Sequence, residues 1–152
     1  MIVLRPPRPD EAAPVGAVID AAYQHYIAII GRIPRPMKDD HAARIASGEH
    51  FVFVDRDRIF GVITLTAGRP DALHIFNIAV HPDAQGRGLL RTLLAFAEER
   101  ARQTGMSWLT LYTNVAMTKN RAIYAHLGFV ELHEEESEGY SIVFMQRRVP
   151  AA

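Results

Sequence analysis

The chain has no cysteine, which excludes disulfides, thiolate nucleophiles and Cys-ligated zinc or iron–sulfur centres. It has no excess of either charge: 17 Lys and Arg balance 17 Asp and Glu among 152 residues. Nucleic-acid binders carry a basic surplus that releases counterions from the phosphate backbone, so no nucleic-acid partner is expected. No apolar run approaches the roughly 20 residues that cross a bilayer, and residues 2–4 ahead of Arg5 are too few for a signal peptide. We therefore expect no membrane association and a cytoplasmic location. Repeats and low-complexity tracts are missing too, and Pro34 and Pro36 form too short a cluster for an interdomain linker. What is present, 49% apolar residues in a chain long enough to bury about 70% of its unfolded surface, predicts one domain over residues 1–152.

Residues 2–4 read as a short strand. Asp10 can cap a helix over residues 11–30, where Val15, Val18, Ile19, Ala22, Tyr26 and Ile29 recur at threes and fours before Gly31 stops it. Asp39 or Asp40 can cap a short helix through Ile45, closed by Gly48. Strands at 51–54 and 59–65 flank a turn at Asp55, Arg56, Asp57 and Arg58. In the next strand, residues 73–80, Leu73 and Ile75 share one phase, and Phe76, Ile78 and Val80 the other. Such a slip is what a β-bulge produces, and equally what a strand buried on both faces tolerates. Leu90, Leu93, Leu94, Ala97 and Ala101 form a helical stripe, followed by a strand at 108–112, a helix at 116–127 and strands at 129–134 and 140–147 about an acidic turn with Gly139. The expected fold is α+β, a mixed and mostly antiparallel sheet of about seven strands with a bulged fourth strand, flanked by about four helices.

Between the phase-slipped strand and the Leu-rich helix lies HPDAQGRGLL, residues 81–90. A glycine-bearing loop opening onto a helix makes an anion site, because the first turn has unpaired N–H groups and the positive end of the helix dipole. Gly86 and Gly88 permit close approach of an oxyanion, or serve simply as a tight turn. The loop is neither a Walker loop nor a GxGxxG dinucleotide fingerprint.

Gln85, Gly86, Arg87, Gly88, Leu89 and Leu90, preceded by Val80, His81 and Pro82, resemble the [QR]xxGx[GA] loop of the GNAT N-acetyltransferase family. Downstream, Asn120, Tyr124, Leu127, Gly128 and Phe129 are similar to its NxxxxYxxLGF pattern. Leu90 departs from the glycine or alanine of the first motif and would crowd the helix start. The resemblance implies acetyl-CoA as co-substrate, with its pyrophosphate on the N–H groups from Gln85 to Arg91 and its pantetheine arm on the backbone of Ile78, Ala79 and Val80. Asn120 and Ile123 would contact the donor, and Tyr124 would protonate the departing sulfur. That proton transfer runs uphill by about 2 kcal/mol from a pKa near 10 to one near 8.5. Periodicity alone reads Tyr124 as a core aromatic.

By the same resemblance His74 stands where histone-type members carry a carboxylate base, although a lone strand histidine is commonly structural. The seven histidines show no HExxH and no tight cluster with carboxylates, so no metal is expected. The acceptor, a primary amine on a small molecule or peptide, is placed at the segment GRIPRPM, with Arg32, Met37 and Tyr26 as contacts. The alternative for Arg32 and Arg35 is a solvated surface role. Asn114 either reaches the acceptor or caps the following helix, the reading we favour. The runs YIAIIGRIPRPM, residues 26–37, and LYTNVAMTKN, residues 111–120, look like those of a bacterial subgroup of the family. Related proteins often pair, so a homodimer is an open expectation, with no unpaired apolar face to derive it from. The competing functional class is a non-catalytic acyl-CoA-binding sensor or interaction module, and a longer acyl group or a hydroxyl acceptor would differ only in pocket shape.

Overall fold

The computed structural model describes residues 2–151. In chain order its elements are β1 (Ile2–Arg5), α1 (Ala12–Tyr23), α2 (Tyr26–Ile30), α3 (His41–Ala46), β2 (His50–Asp55), β3 (Arg58–Ala67), β4 (Ala72–Val80), α4 (Leu89–Gln103), β5 (Trp108–Asn114), α5 (Thr118–His126), β6 (Val130–Ser137) and β7 (Tyr140–Arg148). One-turn 3-10 helices occur at Pro9–Glu11, Arg35–Lys38 and Pro82–Ala84. The strands order as β1-β2-β3-β4-β5-β7-β6. β4 and β5, joined through α4, pair parallel, whereas β1/β2, β2/β3, β5/β7 and β6/β7 pair antiparallel. A parallel pair needs a long crossover and an antiparallel pair needs only a turn, which is why the one intervening helix sits where the sheet changes sense. The mixed sheet of seven strands is the expected one, with five α-helices instead of four.

The extra helix comes from a break in the one expected over 11–30. The apolar stripe is buried only at Val15, Val18, Ile19 and Ala22, whereas α2 buries nothing and Ile29 is 51% exposed. Without a continuous buried face there is little to hold the two segments in one helix. Asp10 does not cap α1: it lies in the preceding 3-10 turn, where Glu11 accepts the Arg8 N–H at 2.7 Å and pairs with Arg5 at 2.8 Å. The Arg5 guanidinium holds the buried Glu11 carboxyl at a pKa of about 2. Asp40 does cap α3, accepting the Ala43 N–H at 3.0 Å. The β2–β3 and β6–β7 turns close with left-handed residues, Arg56 and Asp57 in one and Glu138 and Gly139 in the other, the sense that matches strand twist.

The chain forms two compact units, residues 2–65 with 77–96 and residues 66–76 with 97–151. The first packs Val15, Val18 and Ile19 of α1 on Val52, Val54, Ile59, Val62 and Ala79. Here Gly61 admits close approach, since a Cβ would stand 3.3 Å from both Leu93 Cδ1 and Phe53 Cβ. The second buries Leu109, Leu111, Val143 and Met145. In it Arg147 pairs with Glu98 and donates to the Leu127 carbonyl at 3.1 Å.

β4 carries the phase slip. Ala72 and His74 are buried, then Ile75, Asn77 and Ala79, so the buried set changes phase between His74 and Ile75. The parallel register with β5 runs from Ala72↔Trp108 to Ile75↔Leu111. Phe76, Ile78 and Val80, the large apolar residues of the second phase, are only half-buried.

Candidate active site

The first unit holds the glycine loop. The His81 N–H donates to the Phe60 carbonyl at 2.8 Å, and the His81 ring accepts the Asp83 N–H at 3.0 Å, which turns the chain sharply out of β4. Gln85 folds its side-chain amide back to the Val80 carbonyl at 3.4 Å. Gly86 and Gly88 follow with φ of 81° and 76°, and a Cβ on either would meet no atom within 4 Å. That backbone is accessible and left-handed, a conformation glycine adopts without penalty. Thr92 N–H donates to the Gly88 carbonyl at 3.2 Å. The N–H groups of Leu89, Leu90 and Arg91 thus form the start of a helix, where no carbonyl lies one turn back. Leu89 is buried and Leu90 half-buried, so the leucine at the motif's small-residue position leaves the space over both glycines open.

Beside the loop, a cavity of about 700 Å³ is lined by Ile2, Asp55, Arg56, Arg58, Phe60 and Arg87. The guanidinium of Arg58 lies 4.5 Å and that of Arg87 6.0 Å from the centre of the Phe60 ring. Of the three arginines, Arg58 pairs with Asp83 at 3.0 Å and Arg87 with Asp55 at 3.8 Å.

The acceptor residues expected around 31–37 are more ordered than the sequence suggests. Residues Arg35–Lys38 form a 3-10 turn, and Met37 packs against the buried cluster of the first unit, so it serves the core. Tyr26 is half-buried, its ring 3.9 Å from that of His25, and burial raises its pKa. Arg32 is exposed. Asn114 accepts the Ala116 N–H at 2.9 Å, whereas the N-cap of α5 is Met117. It therefore closes a turn ahead of the helix, correcting the expected cap. Ala116 precedes α5 and does not share its face with Tyr124.

The second unit holds the remaining candidates. Tyr124 on α5 is buried, its ring edge-on to Phe129 at 5.7 Å, and its carbonyl accepts the Phe129 N–H at 3.0 Å. Asn120 is half-buried and Ile123 is 39% exposed on the same helix. His74 is buried, pairs through Nδ1 with Thr110 Oγ1 at 2.8 Å, and stands edge-on to Tyr112 at 4.7 Å. Its Nε2 is buried without a hydrogen-bond partner, and burial lowers its pKa to about 4.

Two arrangements escaped the sequence. The Tyr23 hydroxyl donates to Asn77 Oδ1 at 2.7 Å, tying the end of α1 to β4, and Asn77 Nδ2 is buried without a partner. A lone asparagine amid apolar strand residues was the available signal. The expectation of no histidine–carboxylate cluster is corrected as well. Asp39, His41 and His50 present ligand atoms all within 4.8 Å of one another. Folding joins a helix start to a strand start, and sequence spacing carries no trace of that. Among the described residues no helix is long and apolar enough to cross a membrane.

The model of the Acetyltransferase (GNAT) family matches residues 18–129. The uncharacterised N-acetyltransferase YvbK of Bacillus subtilis is 29% identical over 94 residues, covering 62% of this chain and 61% of that protein. A second relative, the uncharacterised N-acetyltransferase ycf52 of Gracilaria tenuistipitata, is 27% identical over 108 residues, covering 66% and 56%. The chain thus spans about 60% of the length of these curated relatives. Among solved structures, the PaiA N-acetyltransferase of Thermoplasma acidophilum in complex with coenzyme A superposes with a TM-score of 0.80 at 15% identity, covering 97% of this chain and 99% of that one. The yncA protein of Salmonella typhimurium with its cofactor acetyl-CoA superposes at 0.71 and 18%, covering 100% and 96%. At these identities the structural likeness concerns the fold.

Proposed function

Because the chain belongs to the GNAT acetyltransferase family, we propose that it transfers an acetyl group from acetyl-CoA to a primary amine of a small molecule or peptide, by direct attack of the amine on the thioester. The observation that carries this reading is the loop from Gln85 to Arg91, with two left-handed glycines open to solvent at the start of α4. Such backbone accepts an oxyanion at the positive end of the helix dipole.

Acetyl-CoA, when bound, supplies the activated acyl carbon. The N–H groups from Gln85 to Arg91 hold its pyrophosphate, and the backbone of Ile78, Ala79 and Val80 aligns the pantetheine arm, where the half-buried Ile78 and Val80 supply an apolar wall. Asn120 and Ile123 of α5 complete the donor contacts. Tyr124 offers its hydroxyl proton to the sulfur. His74, with a pKa of about 4 and so neutral at pH 7, takes the proton that the amine sheds as its N–C bond forms and the C–S bond breaks, and solvent returns that proton to the Tyr124 phenolate left by protonation of the sulfur. Tyr26 and Arg32 contact the acceptor.

Calorimetric titration with acetyl-CoA tests the donor site without an acceptor. Wild type binds, and Gly88→Trp, which fills the open space over a left-handed residue, does not while keeping its circular dichroism. No binding by folded wild type overturns the reading. Tyr124→Phe then keeps donor binding and loses at least about tenfold in kcat. Unchanged turnover returns Tyr124 to the core-aromatic role that its contact with Phe129 favours. If no amine releases CoA thiol while binding persists, the non-catalytic acyl-CoA-binding module replaces the enzyme.

A further inference from the structure

In the first unit, remote in sequence from every residue assigned to the donor, His50 opens β2 and is 1% exposed. Its Nδ1 lies 2.8 Å from Thr64 Oγ1, and its Nε2 lies 3.1 Å from His41 Nδ1. His41 is the first residue of α3 and half-buried. It packs so closely on α1 that a Cβ on Gly16 would stand 3.2 Å from its Cδ2. Asp39, two residues earlier, brings a carboxylate oxygen within 4.8 Å of both rings. Its carboxylate is held by Arg44 Nε at 2.9 Å and accepts the Asp40 N–H at 3.1 Å.

We propose that Asp39, His41 and His50 bind one divalent transition-metal ion such as Zn²⁺. Two imidazole nitrogens, each about 2.0–2.1 Å from a tetrahedral ion, stand about 3.3 Å apart. The observed 3.1 Å separation is therefore close to the spacing of two ligands on one ion, and the rings need to part by only a few tenths of an ångström. Thr64 is the partner that orients the site: by accepting the Nδ1 proton of His50 it leaves the Nε2 lone pair facing His41, the tautomer that a metal requires. His41 accommodates the ion by carrying its own proton on Nε2. Asp39 supplies the third donor: its oxygen, within 4.8 Å of the ring nitrogens, closes towards the roughly 3.3 Å spacing of two ligands by a small rotation that keeps its second oxygen on Arg44, and water completes a tetrahedron at the half-exposed side. Two imidazoles and one carboxylate suit Zn²⁺, Co²⁺ or Ni²⁺, whereas Mg²⁺ and Ca²⁺ take oxygen ligands. Such an ion would clip the segment before α3 to the first residue of β2. The assignment is independent of the acyl donor.

The test uses the full chain stripped with chelator and titrated with Co²⁺, whose visible bands report a tetrahedral N/O site, and then with Zn²⁺ in competition. Wild type binds one ion per chain with intense visible absorption, and Zn²⁺ displaces it. His41→Ala, at a half-exposed position, keeps the fold and weakens binding at least tenfold, and Thr64→Val weakens it about tenfold through loss of the orienting bond. His133→Ala, on the exposed strand β6, leaves affinity unchanged. Absence of tetrahedral bands in folded wild type, or equal affinity in wild type and His41→Ala, overturns the proposal. His50→Ala is not needed for the decision, since removing a fully buried ring can unfold the chain.

Discussion

Two buried histidines, one in each unit, make the same bond and meet different surroundings. His50 of β2 and His74 of β4 each face a threonine in strand register, Thr64 and Thr110, and bond its hydroxyl through Nδ1 at 2.8 Å. Burial lowers both to pKa values of about 4. Beyond that shared pair they diverge. The Nε2 of His50 faces the Nδ1 of His41 with Asp39 nearby, whereas His74 has its Nε2 unpartnered, with the rings of Tyr112 and Phe144 beside it. A cross-strand threonine orients an imidazole in either place. What the second nitrogen meets decides whether the ring can take an ion or only a proton.

The two histidines should differ most in what they contribute to stability. We expect His50→Ala to cost about 4 kcal/mol, because it opens a cavity and strands both Thr64 and His41, and His74→Ala about 2–3 kcal/mol, because only Thr110 loses a partner. Urea unfolding of both variants in chelator checks this, and equal losses would erase the distinction.

Acid gives the next largest effect. The folded pKa of His74 lies below its unfolded value near 6.5, so between these values the unfolded chain binds more protons and stability rises with pH. Its contribution is complete above pH 6.5 and is lost as pH falls to about 4, up to about 3 kcal/mol for this ring. Urea midpoints at pH 7 and pH 4.5 should therefore differ less in His74→Phe than in wild type. An unchanged difference would mean that another group carries the acid sensitivity.

Zn²⁺ should separate the two histidines as well. At a free concentration of 100 times Kd it should stabilise wild type and His74→Phe alike by about 2.7 kcal/mol, read as a higher Tm, and leave His41→Ala unmoved. Stabilisation that instead followed His74 would move the ion to the second unit. The smallest effect is expected at the threonines: Thr64→Val and Thr110→Val should each cost about 1 kcal/mol in metal-free protein. Only Thr64→Val should also weaken Zn²⁺ binding.

The backbone form of the proposed donor loop was legible because it is local. Two glycines, a turn out of a strand and a leucine-striped helix lie within 25 residues, and backbone conformation responds to neighbours at that range. A phase slip in β4 was legible for the same reason, although it falls between His74 and Ile75, one residue earlier than the sequence suggests, and leaves Phe76, Ile78 and Val80 only half-buried. The helix break after Tyr23 was not legible, since Tyr26 and Ile29 continue the spacing and only burial in the folded chain shows that the stripe ends at Ala22. Met37 reads as an acceptor contact although it packs on the core, and Asn114 reads first as a helix cap although it closes the turn ahead of α5.

Residues a few positions apart were enough to set the strand order along the chain, the hairpin at Arg56 and Asp57 and the open glycine turn before α4, and to narrow the cap of α3 to Asp39 or Asp40. Tertiary structure alone decided which histidines are buried and what they touch. His50 meets Thr64 across 14 residues, His74 meets Thr110 across 36, and Tyr23 meets Asn77 across 54. Those pairings follow from strand register and helix packing, which the whole buried core sets at once, and so no local pattern around any one of these residues encodes them.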